Sequence, residues 1–176
     1  MQNDEIINKT ELFVQQQVAG DSTGHDWWHI HRVRCLALQI QNFEGGNTLV
    51  VELAALLHDI SDWKFNGGNE KAGGEIAEKW LKSLNIDTET IAQIKHIIDH
   101  ISYKGANTKI VKLSLEGQIV QDADRLDAVG AIGIARAFAY GGANNRVIYE
   151  PELAPELHKS FEAYKNSKSH TINHFY

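Results

Sequence analysis

The 176-residue chain has one cysteine, Cys35, and two prolines, Pro151 and Pro155. A single thiol excludes an internal disulfide and suits a reducing, cytoplasmic setting. Both prolines fall late, so the long stretch before them lacks the residue that most often breaks helices. That favours a helical chain over a loop-rich β protein. Runs of Lys or Arg are also missing: 17 basic residues stand against 23 acidic ones, for a formal net charge of −6. This balance argues against a nucleic-acid groove or a polybasic membrane patch, and leaves a small anionic substrate met by local cations. No apolar stretch approaches the roughly 20 residues that span a bilayer. The polar start, residues 1–10, lacks a secretory apolar segment, so a soluble intracellular protein is expected.

What is there is ordinary in bulk and specific in pattern. Apolar residues make up 43% of the chain and charged residues 23%, as in a typical globular protein. Apolar spacing predicts helices over 4–19, 26–43, 48–59, 69–84, 88–101 and 152–167, with two more segments between 110 and 140 hinged around 115–118. Thr48 is expected to cap the third helix, and Glu44-Gly45-Gly46 to stop the second. The chain ends on His174-Phe175-Tyr176 in what reads as another amphipathic start, which suggests a truncated C-terminus. There is no internal repeat and no convincing alternating strand. The expected architecture is a single all-α domain over residues 1–176.

The third segment sets the functional question. Val50-Val51-Glu52-Leu53-Ala54-Ala55-Leu56-Leu57 is apolar almost all round, as in a helix buried inside a domain. It ends in His58-Asp59, and a buried carboxylate costs several kcal/mol unless a donor, a cation or a metal compensates it. Two other clusters can supply partners. One is His25 with His29-Ile30-His31, and the other is Gln121-Asp122-Ala123-Asp124-Arg125-Leu126-Asp127. One imidazole, a His-Asp pair and a distant Asp offer two nitrogens and two oxygens, a shell suited to Mn²⁺, Fe²⁺, Zn²⁺ or Mg²⁺.

Taken in order, His29, His58-Asp59 and Asp124 resemble the H…HD…D pattern of the HD-domain metal-dependent phosphohydrolases. The resemblance covers about residues 20–165 and implies an HD-type helical bundle. Ala123-Asp124-Arg125-Leu126 is similar to the last-ligand segment of alarmone hydrolases in that superfamily, which favours Asp124 over Asp122. The stretches 24–29 and 121–127 are more similar to the small stand-alone bacterial members. For that subgroup the resemblance implies cleavage of (d)NTP to (d)NMP and pyrophosphate by metal-activated water, with Mn²⁺ the favoured ion. His29, His58, Asp59 and Asp124 are then the expected ligands, with His25 and His31 competing with His29.

Further roles follow from position. Asp62 lies three residues after Asp59, so on a continued helix the two share a face, and Asp62 is expected to assist as general acid/base. Asp59 is grouped with it as catalytic. Arg32, Lys64, Arg125 and Lys104 are cations suited to phosphate oxygens. His96 and His100, at i and i+4, suit a phosphate contact or a second metal, although a mononuclear site is preferred. Asp127 reads as a salt-bridge partner of Arg125 or Arg136, Cys35 as core, and His158, His170 and His174 as surface. A phosphomonoesterase or phosphodiesterase, and a nucleotide sensor without turnover, are the competing functions. The expected partner is a small nucleotide bound by a monomer or homodimer, with neither nucleic acid nor membrane.

Overall fold

The computed structural model describes residues 2–21, 24–61, 71–102, 111–154 and 169–175. Among these, seven α-helices form in order: α1 Asn3–Gln17, α2 Trp27–Glu44, α3 Thr48–Leu57, α4 Ala72–Ser83, α5 Thr88–Ile101, α6 Leu115–Asp127 and α7 Ala131–Ala143. A 3-10 turn, Thr171–Phe175, follows them. The described residues contain no strand, so the all-α expectation holds. The predicted helix 152–167 falls largely outside the described residues.

Starts and stops follow local chemistry. Asp26 caps α2, its carboxylate accepting from the His29 N–H. Asn47 caps α3 by accepting from the Leu49 and Val50 N–H groups. The cap is therefore Asn47, and Thr48 is the first helical residue. An Asn side chain reaches these orphan donors as well as a hydroxyl does. Gly45 ends α2 with φ 82, in the left-handed region that glycine enters without a Cβ penalty. The hinge predicted at 115–118 lies instead at 128–130, between α6 and α7, where Gly130 takes φ 86.

The chain divides into two compact units, one of residues 1–21, 25–102 and 113–127, the other of residues 22–24, 103–112 and 128–176. The first holds α1 to α6 around α3, which touches α1, α2, α5 and α6. Val51, Leu53, Ala54, Ala55, Leu56 and Leu57 are fully buried. Glu52, the one charge in that run, accepts from Arg34 at 2.6 and 2.9 Å, and Arg34 also reaches Glu11. The charge thus turns to the helix flank without entering the core. Phe13 of α1 stacks on Trp80 of α4 with ring centroids 4.1 Å apart, and the Trp80 indole N–H donates to Thr10. In the second unit α7 packs against the 3-10 turn, where the Thr171 and Ile172 N–H groups donate to the Val147 and Ile148 carbonyls.

Two expectations fail on burial. Cys35 is exposed, because α2 buries Ile30, Val33 and Ala37 on a stripe that Cys35 lies outside. His170 is buried, and its Nδ1 accepts the Asn173 N–H as the last turn folds back on itself.

Candidate metal centre

α3 ends just before His58, and this termination builds the first half of the site. The last carbonyls of a helix have no intrahelical donor. His58 sits at the C-cap, and its Nδ1 lies 2.8 Å from the Ala55 carbonyl. A carbonyl only accepts, so Nδ1 carries the proton, and Nε2 is the nitrogen left to face the site. Asp59 lies in the turn beyond α3, which ends at Leu57, two residues short of the predicted boundary at 59.

α2 and α6 build the second half. The Asp26 cap fixes the backbone of His29 in the first turn of α2. On α6, Asp124 and Asp127 stand three residues apart and so share a face. Asp127 Oδ2 lies 2.8 Å from His29 Nδ1, while Asp124 Oδ1 lies 3.4 Å from His29 Nε2. The two carboxylates therefore flank opposite nitrogens of one imidazole. Asp127 accepts from Nδ1, and His29, like His58, presents Nε2 as an acceptor.

These two Nε2 atoms face each other at 3.3 Å, both on buried rings. Two lone pairs at that distance repel unless a proton or a cation lies between them. Ligands about 2.0–2.1 Å from a common Zn²⁺ are separated by about 3.0–3.4 Å. Asp124 Oδ1 lies 3.8 Å from His58 Nε2, and Asp59 Oδ2 lies 3.7 Å from His29 Nε2. Donor types and spacings thus fit a divalent ion held by His29, His58 and Asp124, with Asp59 alongside. His25, His29 and Asp59 form an overlapping group, joined by a 2.5 Å contact between His25 Nδ1 and Asp59 Oδ2.

Electrostatics agree with this arrangement. Burial pushes the Asp59 carboxyl up, but the contact with His25, through its charge and its hydrogen bond, leads the effects that outweigh it and hold the group well below the usual carboxylate range. Asp127 is likewise raised by burial and lowered more strongly by His29 and Arg32. Both therefore stand as anions. The His29 side chain is 1% exposed, Asp59 19% and Asp124 30%. The histidines form the floor, and solvent reaches the site past the carboxylates.

Asp62, Lys64 and Lys104 lie outside the described residues. Arg32 donates to Asp127 through Nε at 2.6 Å and Nη2 at 3.1 Å. Arg125 is exposed on α6 beside Asp124. His96 and His100 lie side by side on α5 with centroids 4.4 Å apart and planes tilted by 38°, and His100 Nδ1 donates to the His96 carbonyl. His31 lies near Cys35 and the two tryptophans of α2, its Nε2 3.8 Å from Cys35 Sγ. Asp122 is exposed. Asp127, expected to pair with Arg125 or Arg136, binds His29 and Arg32. Its i+3 spacing from Asp124 was the signal available in the sequence.

Comparison with known proteins identifies the family. The HD domain family matches residues 27–129, a span that contains His29, His58, Asp59, Asp124 and Asp127. YpgQ of Bacillus subtilis is 39% identical over 148 residues, covering 83% of this chain and 71% of YpgQ. Its crystal structure in complex with ADP superimposes with a TM-score of 0.70 at 35% identity, covering 93% of this chain and 77% of that one. A crystal structure from Lactobacillus plantarum gives a TM-score of 0.88 at 39% identity over 100% of this chain and 81% of that one. An HD-superfamily hydrolase from Bacillus thuringiensis gives 0.69 at 40% identity over 99% and 79%. With the histidines and aspartates of the pattern inside the matched span, the chain belongs to the HD domain family.

Proposed function

We propose that this HD-domain protein is a metal-dependent phosphohydrolase of small nucleotides, cleaving (d)NTP to (d)NMP and pyrophosphate. The observation that carries the reading is the pair of facing Nε2 atoms of His29 and His58, 3.3 Å apart, beside the carboxylates of Asp59 and Asp124. The ADP complex of YpgQ supports a nucleotide as the ligand class.

His29, His58, Asp59 and Asp124 hold the ion, with Mn²⁺ favoured. When bound, the ion supplies Lewis-acid polarisation of a phosphoryl oxygen and a water-derived nucleophile at neutral pH. The protein groups do the rest. Asp59 and Asp124 offset the ion's charge on the solvent side, where a polyphosphate enters. Arg125, exposed one residue from Asp124, meets phosphate oxygens. Lys64, Lys104, His96 and His100 are further candidates for the phosphate chain. Asp62 is assigned proton transfer, from the segment that follows the HD pair.

The test is turnover of nucleoside triphosphates, diphosphates, monophosphates and cyclic nucleotides, with and without Mn²⁺, and with products identified. Pyrophosphate with monophosphate is the expected pair. Orthophosphate alone points to a phosphomonoesterase, and a ring-opened monophosphate to a phosphodiesterase. No turnover with any divalent ion, together with tight nucleotide binding, points to a sensor.

A further inference from the structure

We propose that Asp127 and Arg32 are positioning residues for His29, a paired strut that fixes its tautomer and ring heading so that Nε2 is presented to a divalent ion. The inference rests on the metal-centre reading above and adds two residues to it.

His29 and Arg32 stand three residues apart on α2 and so project from one face. Asp127 reaches both from α6. Its Oδ2 accepts from His29 Nδ1 at 2.8 Å and from Arg32 Nη2 at 3.1 Å, and its Oδ1 accepts from Arg32 Nε at 2.6 Å. The Asp127 side chain is 4% exposed. A carboxylate that buried is tolerated only with its oxygens occupied, and the two-point Arg32 contact does this with fixed geometry. The carboxylate plane is thereby set by Arg32, and the imidazole by the carboxylate. Rotating the His29 ring would move its nitrogens away from both Asp127 and Asp124. Arg32 commits Nε and Nη2 to this contact, which makes it part of the ligand's support and leaves phosphate recognition to other cations.

A carboxylate on the far nitrogen of a ligating histidine is worth about 10–100-fold in metal affinity. Asp127→Asn keeps the shape and removes the anion, so Mn²⁺ binding measured by calorimetry should weaken by that factor. The decisive readout is made without metal: ¹⁵N shifts of His29 in the chelator-treated protein. Wild type should show the Nδ1–H form at neutral pH, and Asp127→Asn should move it toward Nε2–H. Arg32→Lys, which keeps the charge and loses the two-point contact, should weaken Mn²⁺ binding in the same direction by a smaller factor. It also carries the test if Asp127→Asn does not fold. At saturating Mn²⁺, Arg32→Lys should leave KM for the nucleotide unchanged.

An unchanged His29 tautomer in Asp127→Asn, or Mn²⁺ affinity within twofold of wild type in a folded variant, overturns the proposal. A raised KM at saturating Mn²⁺ with unchanged metal affinity in Arg32→Lys overturns Arg32's part and returns it to phosphate binding. Failure of wild type to bind any divalent ion overturns the functional reading, while the metal-free tautomer still decides whether Asp127 sets the His29 ring.

Discussion

His29 and His58, from helices α2 and α3, face each other through Nε2 atoms 3.3 Å apart, and each ring is tied at Nδ1 to an acceptor. A ligand that binds only the folded state adds RT ln(1 + [L]/Kd) to stability, about 2.7 kcal/mol at one hundred times Kd. Calorimetric melts should therefore shift upward with Mn²⁺, and His58→Ala should abolish the shift. Superimposable wild-type melts with and without the ion would rule out the shared site.

The two candidate carboxylates of α6 are separable. Asp124 Oδ1 lies 3.4 Å from His29 Nε2, whereas Asp122 is exposed. Asp124→Ala should lower Mn²⁺ affinity at least tenfold, about 1.4 kcal/mol, and Asp122→Ala should leave it within twofold. Isothermal titration of both variants decides this, and the reverse ranking would move the last ligand to Asp122.

Much of this arrangement was legible in the sequence. A run apolar almost all round reads as a buried helix, and the His-Asp pair at its end demanded partners. Asp127 escaped because pairing between charged residues of α2 and α6 depends on how the helices pack, which spacing along one helix does not encode. Arg125 and Arg136 were nearer in sequence, yet Arg32 lies 95 residues away and supplies two donors. Cys35 escaped for a related reason. The buried stripe of α2 is narrower than its apolar composition implies, and the half-covered Leu36 and Ile40 mark its edge.

That exposure has a chemical consequence. Cys35 in the native protein should react with an aromatic disulfide reagent at close to one equivalent, without denaturant. Thiol release only after unfolding would return Cys35 to the core.

Glu78 offers a pH test away from the site. Hydrogen bonds from Lys82, then Lys95, with the charges of both amines, pull its carboxyl from 4.5 to about 2. The folded pKa lies below the unfolded one, so the contribution is complete above about 4.5 and lost as pH falls toward 2. Carboxyl-detected NMR should show Glu78 titrating well below the usual glutamate range, and high salt should bring it back toward that range. Titration at an ordinary glutamate value would dissolve the three-residue cluster.

The core should respond more sharply. Leu57 is fully buried on the last turn of α3. Leu57→Ala removes three heavy atoms there and should cost about 2–5 kcal/mol, read as a lower urea midpoint with an unchanged slope. A loss below 1 kcal/mol would mean that the surrounding helices collapse into the vacated space.

Because α3 meets packed neighbours on nearly every side and hands directly over to His58, its interior positions have no purely architectural phenotype. A mutagenesis screen scored only by turnover will return Leu53, Ala54 and Leu57 alongside the histidines, as though they took part in the chemistry. Separating the two groups requires scoring abundance in parallel. Residues that lose turnover at normal abundance will trace the inner wall of the site, and those that lose both will trace the helix on which it is mounted.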